Sequence, residues 1–191
     1  MAKDGIEVEI KVSVGEDDFL KIKDKVKSIA KFEKISEQSD EYFDLCNRSF
    51  LDVEYPFEWI SIRKRGSKNI LNFKRLYPPN SLEFTHCDEF DVEVDDSNKL
   101  AKIFSLIDLK SLVIVDKTRE TYNYNDEIEI DMDFIKELGY FVEIEALKDF
   151  GGIVETRKRI FEFAKEIGLD VNNKVNRGYP YLLMKKRGLI K

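Results

Sequence analysis

Hydrophobic and charged residues alternate one by one along much of this chain. The stretch IEVEIKV, residues 6–12, is the first example: four aliphatic residues hold one parity, and Glu7, Glu9 and Lys11 hold the other. Because successive side chains of a β-strand point to opposite faces, this pattern predicts a strand with one apolar and one charged face. The pattern recurs, and we predict further strands at residues 59–65, 70–75, 89–95, 113–124, 127–132 and 141–147.

Three other stretches carry apolar residues at helical spacing. Residues 15–32 open with acidic side chains, which suits a helix N-terminus. The residues expected to face the core from this helix are Phe19, Ile22, Val26 and Ile29. Residues 95–108 predict a second helix, and its expected inward residues are Leu100, Ile103, Phe104 and Ile107.

Residues 151–168 predict a third helix, and Gly168 is expected to cap its C-terminus. Shorter helical turns are expected at residues 133–139 and around residues 179–187. Two proline-bearing stretches, residues 54–59 and 76–81, predict loops between strands.

Composition bounds the fold and the class of partner. The 191 residues are 42% hydrophobic, which suits one domain, residues 1–191, with a substantial core. Charged residues make up 37%, well above the roughly 25% of ordinary globular domains. The formal net charge of −6 argues against a protein that coats nucleic acid, because such proteins present a basic face.

The remaining composition bears on compartment and metal chemistry. Cys46 and Cys87 lie far apart in a chain without a signal-peptide pattern, so we expect free thiols and a cytoplasmic protein. No apolar stretch approaches the roughly 18 residues of a membrane span. His86 is the only histidine, so a bound metal ion would be held by oxygen ligands, which favours Mg²⁺ or Mn²⁺.

The charges are sorted by strand. A single charged face is usually only a solvated surface, but here whole strands differ in sign. Carboxylates gather at residues 7–9, 89–93, 127–131 and 143–145, and bases gather at residues 63–65, 74 and 117–119. This sorting suggests a sheet closed on itself with a charged interior. Several bases suit a ligand with many phosphate oxygens and nearby carboxylates suit a divalent metal ion, so the pattern indicates a triphosphate with metal.

The same segments resemble a known family. EVEIKV is similar to the ExExK signature of the CYTH superfamily, the triphosphate tunnel metalloenzymes. Further segments resemble the motifs of that family in the same order along nearly the whole chain: DEYFD, SIRKR, NFK, EFDVEV, DKTRETY and EIDMDFIKELGYFVEIE. The tail NRGYPYLLMKKR is similar to that of the class IV adenylyl cyclase branch. One departure is Cys87, which occupies a position where many members carry arginine.

The resemblance implies an α+β fold, a closed antiparallel eight-stranded β-barrel with flanking helices, whose tunnel binds a triphosphate. It implies Mg²⁺ or Mn²⁺ as cofactor. The implied metal ligands are Glu7, Glu9, Glu143 and Glu145, with Asp131 as a further candidate. The implied phosphate-binding residues are Lys11, Arg63, Arg65, Lys74, Lys117 and Arg119, and the catalytic set would be Glu7, Glu9, Lys11 and Lys74.

Three functions fit these residues. A class IV adenylyl cyclase would convert ATP to cyclic AMP and pyrophosphate. A triphosphatase would hydrolyse thiamine triphosphate, a nucleoside triphosphate or tripolyphosphate with the same groups. A non-catalytic polyphosphate- or nucleotide-binding module is the third, although it would be expected to have lost metal-side carboxylates. The resemblance also implies a homodimer, and we expect neither nucleic acid nor membrane as a partner.

Overall fold

A computed structural model describes residues 6–190. The strands are β1 (Ile6–Glu7), β2 (Glu9–Val14), β3 (Lys31–Leu45), β4 (Glu58–Arg65), β5 (Lys68–Tyr77), β6 (His86–Val94), β7 (Leu109–Tyr124), β8 (Ile128–Ile135) and β9 (Gly139–Ala146). The α-helices are α1 (Glu16–Ile29), α2 (Ser97–Leu106), α3 (Ile153–Glu166) and α4 (Tyr179–Lys186), and a 3₁₀ helix covers Val171–Asn173.

The strands form one sheet in the hydrogen-bonded order β1-β6-β5-β4-β3-β7-β8-β9-β2. The pairings β2–β9, β3–β4, β4–β5, β5–β6, β7–β8 and β8–β9 are antiparallel. β1 and β2 are two parts of one extended segment, interrupted at Val8. The first and last strands in the hydrogen-bonded order therefore belong to the same segment of the chain. The predicted fold class is confirmed, and nine strands replace the expected eight because the break at Val8 divides the N-terminal strand.

The chain divides into two compact units. The first unit contains the described residues up to Ser36 together with Lys117–Asn176. The second unit contains Glu37–Asp116 together with the described residues from Arg177 onward. β3 and β7 each contribute residues to both units. A single domain over residues 1–191 stays a prediction.

The first unit has its core between its sheet and two helices. The aliphatic residues of β2, β8 and β9, which alternate with the charged ones, pack against α1 and α3, as the sequence pattern predicts. Phe19, Ile22 and Val26 of α1 are buried there, as expected. Ile29 is exposed, contrary to expectation, because α1 ends at this residue and the next one, Ala30, is already extended.

Gly168 ends α3, as its position in the sequence predicts. Its φ of +91° lies in the left-handed region, which favours glycine. The N–H of Gly168 donates to the carbonyl of Lys165, so a carbonyl at the helix terminus is satisfied.

The second unit has a smaller core under α2. Phe104 of this helix packs with Phe43, Ile62 and Leu109. The Asp96 side chain caps α2 by accepting from the N–H groups of residues 98 and 99, at 3.0 and 2.9 Å. The expected inward positions Ile103 and Ile107 are exposed, because the ten-residue helix meets the core only along the line of Leu100, Ala101 and Phe104.

Two helix predictions are wrong. No helical turn forms at residues 133–139: β8 runs through Ile135, a turn closed by the Leu138 N–H and the Ile135 carbonyl follows, and β9 begins at Gly139. The first helix does not reach residue 32, since β3 begins at Lys31. The seven predicted strands, both proline-bearing loops and the helix near residues 179–187 are confirmed.

Other expectations bear on thiols and membranes. Cys46 is exposed and Cys87 is buried, and both are free, as expected. Between residues 6 and 190, no helix is long and apolar enough to cross a membrane.

Candidate functional site

Two adjacent rows of charged residues cross β2, β9 and β8 in the first unit. Strand pairing places Glu9 opposite Glu145 and Glu145 opposite Glu129, which makes an all-carboxylate row. The next row along the same face consists of Lys11, Glu143 and Asp131. These residues have the opposite parity to the aliphatic core residues, so both rows lie on the face turned away from α1 and α3.

Glu143 lies between two bases in the second row. Lys11 Nζ is 2.7 Å from one oxygen of Glu143, and the Arg119 guanidinium donates to the other. Burial alone would raise the pKa of the Glu143 carboxyl, but the positive charges of Lys11, Arg119 and Lys117 outweigh burial and hold this pKa well below its usual value. Glu143 is therefore ionised at neutral pH.

Arg119 binds three carboxylates at once. Its Nε and Nη2 donate to the two oxygens of Asp133 at 2.7 and 2.5 Å, and its Nη1 lies 2.5 Å from Asp131. Lys117 Nζ lies 3.7 Å from Asp133, which has no solvent exposure. Burial would lower the pKa of the guanidinium, but Asp133, Glu143 and Asp131 raise it well above its ordinary value. Arg119 is thus a fixed, half-buried positive charge.

Asp131 is the titratable member of this cluster. Burial raises its pKa to about 7; Arg119 opposes the rise, whereas Glu129 and Glu143 add to it. The Thr121 hydroxyl also donates to Asp131, at 2.7 Å. This carboxyl can therefore exchange a proton near neutral pH.

The carboxylate row has the donor chemistry of a divalent-metal site. Glu9, Glu145 and Glu129 are hard oxygen ligands at paired positions, and no base occupies their row on these three strands. Burial raises the pKa of Glu129, and the charge of Glu143 adds to the rise. Within residues 6–190, no three acidic, histidine or cysteine side chains converge closely enough to hold an ion as they stand. The residue types fit Mg²⁺ or Mn²⁺, and in this arrangement Glu143 is ion-paired with Lys11 and Arg119.

The second unit has its own charged centre on β4, β5 and β6. Glu89 accepts from Arg63 Nη1 at 2.7 Å and from Asn72 Nδ2 at 2.7 Å, and Lys74 Nζ lies 3.2 Å from its second oxygen. Arg65 is held separately, by both oxygens of Asp40. Three predicted phosphate-binding bases are thus oriented by acidic partners within one unit.

Arg63 combines charge with an unused donor. Burial would lower the pKa of its guanidinium, but Glu89, Tyr42, Asp40 and Asp91 raise it above the ordinary value. Its Nε is buried and has no hydrogen-bond partner among the described residues. A bound anion could accept from this group.

The structure brings several of the candidate site residues close together within the first unit. The first unit brings together Lys11, Lys117, Arg119, Asp131 and Glu143, and it places Glu9 and Glu145 in the neighbouring row. Glu7 is buried at the end of β1. The metal and phosphate roles of all these residues stay predictions.

The sequence pattern did not reveal Asp133, Asp40 and Glu89 as partners of the bases. Asp133 continues the parity of Asp131, but the expected helical turn at residues 133–139 concealed it. Glu89 lay in a predicted acidic strand. Nothing in the pattern indicated Asp40, because no strand was predicted from its stretch.

A family model described as the CYTH domain matches residues 5–179. The chain belongs to the CYTH family. A curated relative, a putative adenylate cyclase from Methanocaldococcus jannaschii, is 28% identical over 176 residues, covering 91% of this chain and 96% of the relative. This CYTH chain also resembles the solved structure of a Pyrococcus horikoshii protein, with a TM-score of 0.79, 26% identity and coverage of 95% and 99%.

A third match is a more distant solved structure. A solved Hippeastrum protein is described as a putative adenylyl cyclase with a dominant triphosphatase activity. Its TM-score with this chain is 0.63 and the identity is 17%. The match covers 96% of this chain and 95% of the Hippeastrum protein. At that identity the match shows only that the fold is shared.

Proposed function

We propose that this CYTH protein is a divalent-metal-dependent enzyme that acts on a triphosphate, and that it converts ATP to cyclic AMP and pyrophosphate. The observation that carries the proposal is the set of bases in the first unit, buried Lys11 and Lys117 and half-buried Arg119, beside an all-carboxylate row. Buried bases of this kind bind anionic oxygens, and adjacent carboxylates bind the metal ion that accompanies a triphosphate. The name of the Methanocaldococcus relative supports the cyclase form.

In this proposal the phosphate oxygens replace protein carboxylates as partners of the bases. Lys11 and Arg119 pair with Glu143, and Arg119 also pairs with Asp131. A phosphate chain offers the same hydrogen-bonding geometry to a guanidinium as a carboxylate does. Asp133, with no solvent exposure, keeps Arg119 oriented while the other partners exchange.

The carboxylates released by this exchange would serve the metal ion. Glu7, Glu9, Glu143 and Glu145 would hold Mg²⁺ or Mn²⁺, with Asp131 as a further candidate. When bound, such an ion neutralises phosphate charge and lowers the pKa of the attacking hydroxyl. Asp131, with its pKa near 7, is a group that can accept the proton of that hydroxyl.

The second unit has its own candidates for phosphate contacts. Arg63, Arg65 and Lys74 are oriented by Glu89 and Asp40 and would contact phosphate oxygens, as the family resemblance implies. A lysine beside the leaving pyrophosphate would stabilise the charge that develops on it, and the resemblance offers Lys11 and Lys74 for this role.

A triphosphatase is the second candidate, because the same groups can serve it. Asp131, whose pKa lies near neutral pH, could accept a proton from an attacking water in place of a ribose hydroxyl. Water attack on the terminal phosphorus would then give a diphosphate and orthophosphate. The description of the Hippeastrum protein, a putative adenylyl cyclase with a dominant triphosphatase activity, supports this candidate.

Product analysis separates the two candidates. The purified protein is incubated with ATP, thiamine triphosphate or tripolyphosphate and with Mg²⁺ or Mn²⁺, and the products are resolved by chromatography. Cyclic AMP with pyrophosphate is the expected result. Orthophosphate with a diphosphate would assign the triphosphatase reaction, and binding without any product would support the non-catalytic module.

A further inference from the structure

The charged face of the second unit changes character at one end of β4. Trp59 has the same parity as Arg63 on this strand, and the Tyr42 ring of β3 meets its indole edge-on, with the ring centroids 6.0 Å apart. Leu76 and the buried Cys87 are paired on the same face of β5 and β6. The polar face therefore ends in an aromatic and apolar patch, which we define as Tyr42, Trp59, Leu76 and Cys87.

Trp59 has an unsatisfied donor in this patch. The residue is only 5% exposed, and its Nε1 has no hydrogen-bond partner among the described residues. A buried indole N–H normally finds an acceptor, and leaving it unpaired costs free energy. The unpaired donor therefore points to an acceptor supplied by a ligand.

The donor lies next to a base of the proposed phosphate site. Strand pairing places Trp59 directly opposite Lys74, which with Arg63 binds Glu89. Directly opposed side chains have their Cβ atoms about 5 Å apart. A ligand whose phosphates reach Lys74 would bring its neighbouring organic group to the indole.

We propose that the aromatic patch binds the organic group of the triphosphate, and that Trp59 Nε1–H donates a hydrogen bond to it. This inference rests on the proposed function and specifies its substrate class. The ligand is a planar nitrogen heterocycle with a ring nitrogen or carbonyl acceptor, as in a nucleobase, because such a group offers both an acceptor for the indole N–H and an apolar face for an aromatic patch. Tripolyphosphate has no such group and cannot occupy the patch.

The wild-type protein provides the first test, because Trp59 is the only tryptophan in the chain. Its fluorescence is recorded during titration with ATP and, separately, with tripolyphosphate, each with Mg²⁺, while calorimetry reports binding independently. The expected result is binding of both ligands with a change in intensity or emission maximum for ATP alone. Equal fluorescence changes for the two ligands would overturn the inference while leaving the proposed function intact. If calorimetry detects binding of neither, the proposed function fails, and this inference fails with it.

Substitution gives a second, independent measurement. Trp59→Phe keeps an aromatic ring but removes the N–H, so the ratio of ATP affinity to tripolyphosphate affinity should fall about tenfold, the effect of one lost hydrogen bond. The matched control is Phe90→Leu, because Phe90 is an exposed aromatic residue of β6, on the face opposite to Cys87. The control should keep the wild-type ratio. An unchanged ratio in Trp59→Phe would contradict the role of the indole.

Discussion

Asp133 accepts two hydrogen bonds from the Arg119 guanidinium and has no solvent exposure. Lys117 lies 3.7 Å from the same carboxylate. Asp133 therefore fixes the orientation of the Arg119 guanidinium without needing to contact the substrate. Such positioning matters because small displacements of a phosphate-binding group slow a reaction strongly.

Replacing Asp133 by asparagine tests this role. Asp133→Asn keeps one acceptor oxygen but removes the negative charge and the second of the two hydrogen bonds to the guanidinium. Arg119 should therefore lose its orientation. We expect turnover to fall by about 100-fold and the free energy of unfolding to fall by about 3 kcal/mol, because a buried ion pair loses one partner. Steady-state kinetics and urea unfolding measure the two effects. Asp24→Asn, on the exposed side of α1, is the control and should change neither quantity. Wild-type kinetics in Asp133→Asn would show that Arg119 is oriented without it.

The raised pKa of Asp131 makes stability depend on pH in a predictable direction. Burial lifts this pKa to about 7 from an ordinary value of 3.8, so the folded protein binds the proton more tightly than the unfolded chain. The contribution of Asp131 to stability is full below about pH 4 and is lost as the pH rises through 7. Asp131→Asn removes this dependence.

We therefore compare the free energies of unfolding of Asp131→Asn and wild type at two pH values. On going from pH 5 to pH 8, the difference should shift in favour of Asp131→Asn by about 2–3 kcal/mol. Chemical unfolding at the two pH values measures it. Asp126→Asn, in the exposed β7–β8 turn, is the control and should track wild type at both. A constant difference between Asp131→Asn and wild type would show that Asp131 does not titrate in this range.

At the scale of elements, alternation predicted seven strands but missed β3. Lys31–Leu45 begins with residues that are exposed on both faces, so apolar and polar positions do not alternate there, and its Lys and Glu residues suit a helix equally well. Spacing also over-predicted the buried face of α2, where Ile103 and Ile107 are exposed. Helical spacing shows which residues share a face, but only packing shows how much of that face is covered.

The end of α3 depends on Gly168. Its φ of +91° strains a residue that has a Cβ, and nothing lies within 4 Å of where that atom would be, so strain is the only expected penalty. Gly168→Ala should lower the free energy of unfolding by about 1 kcal/mol. Gly168→Asn should cost less, because asparagine adopts left-handed conformations more readily. Thermal or urea unfolding compares the two variants. Equal losses would show that the backbone conformation is not the cause.

At the scale of the whole molecule, charge sorting by strand was visible in the sequence, but its pairing was not. The acidic strands β2, β9 and β8 are neighbours, and within them Lys11 of β2 faces Glu143 of β9. Across the adjacent pair of β7 and β8, Arg119 faces Asp133. Which acid meets which base depends on strand order and register, and these are set by long-range pairing that a local pattern does not contain. The family resemblance implied a closed antiparallel barrel but no pairing register, and the CYTH match over residues 5–179 confirmed the family.

The all-carboxylate row is the feature on which metal-dependent triphosphate chemistry depends most. Glu9 faces Glu145, which faces Glu129, and the proposal assigns the first two to the metal ion. Replacing Glu9 by glutamine keeps the size of the side chain but removes one charged metal ligand.

The most direct measurement is therefore turnover of ATP and tripolyphosphate by Glu9→Gln across a titration of Mg²⁺ and Mn²⁺. Glu162→Gln, on the exposed surface of α3, serves as the control, and thermal melting verifies that both variants fold. We expect at least a 100-fold loss of metal-dependent turnover in Glu9→Gln, with wild-type rates in the control. Wild-type turnover and metal dependence in a folded Glu9→Gln protein would contradict the proposed role of Glu9 as a ligand of a catalytic metal ion.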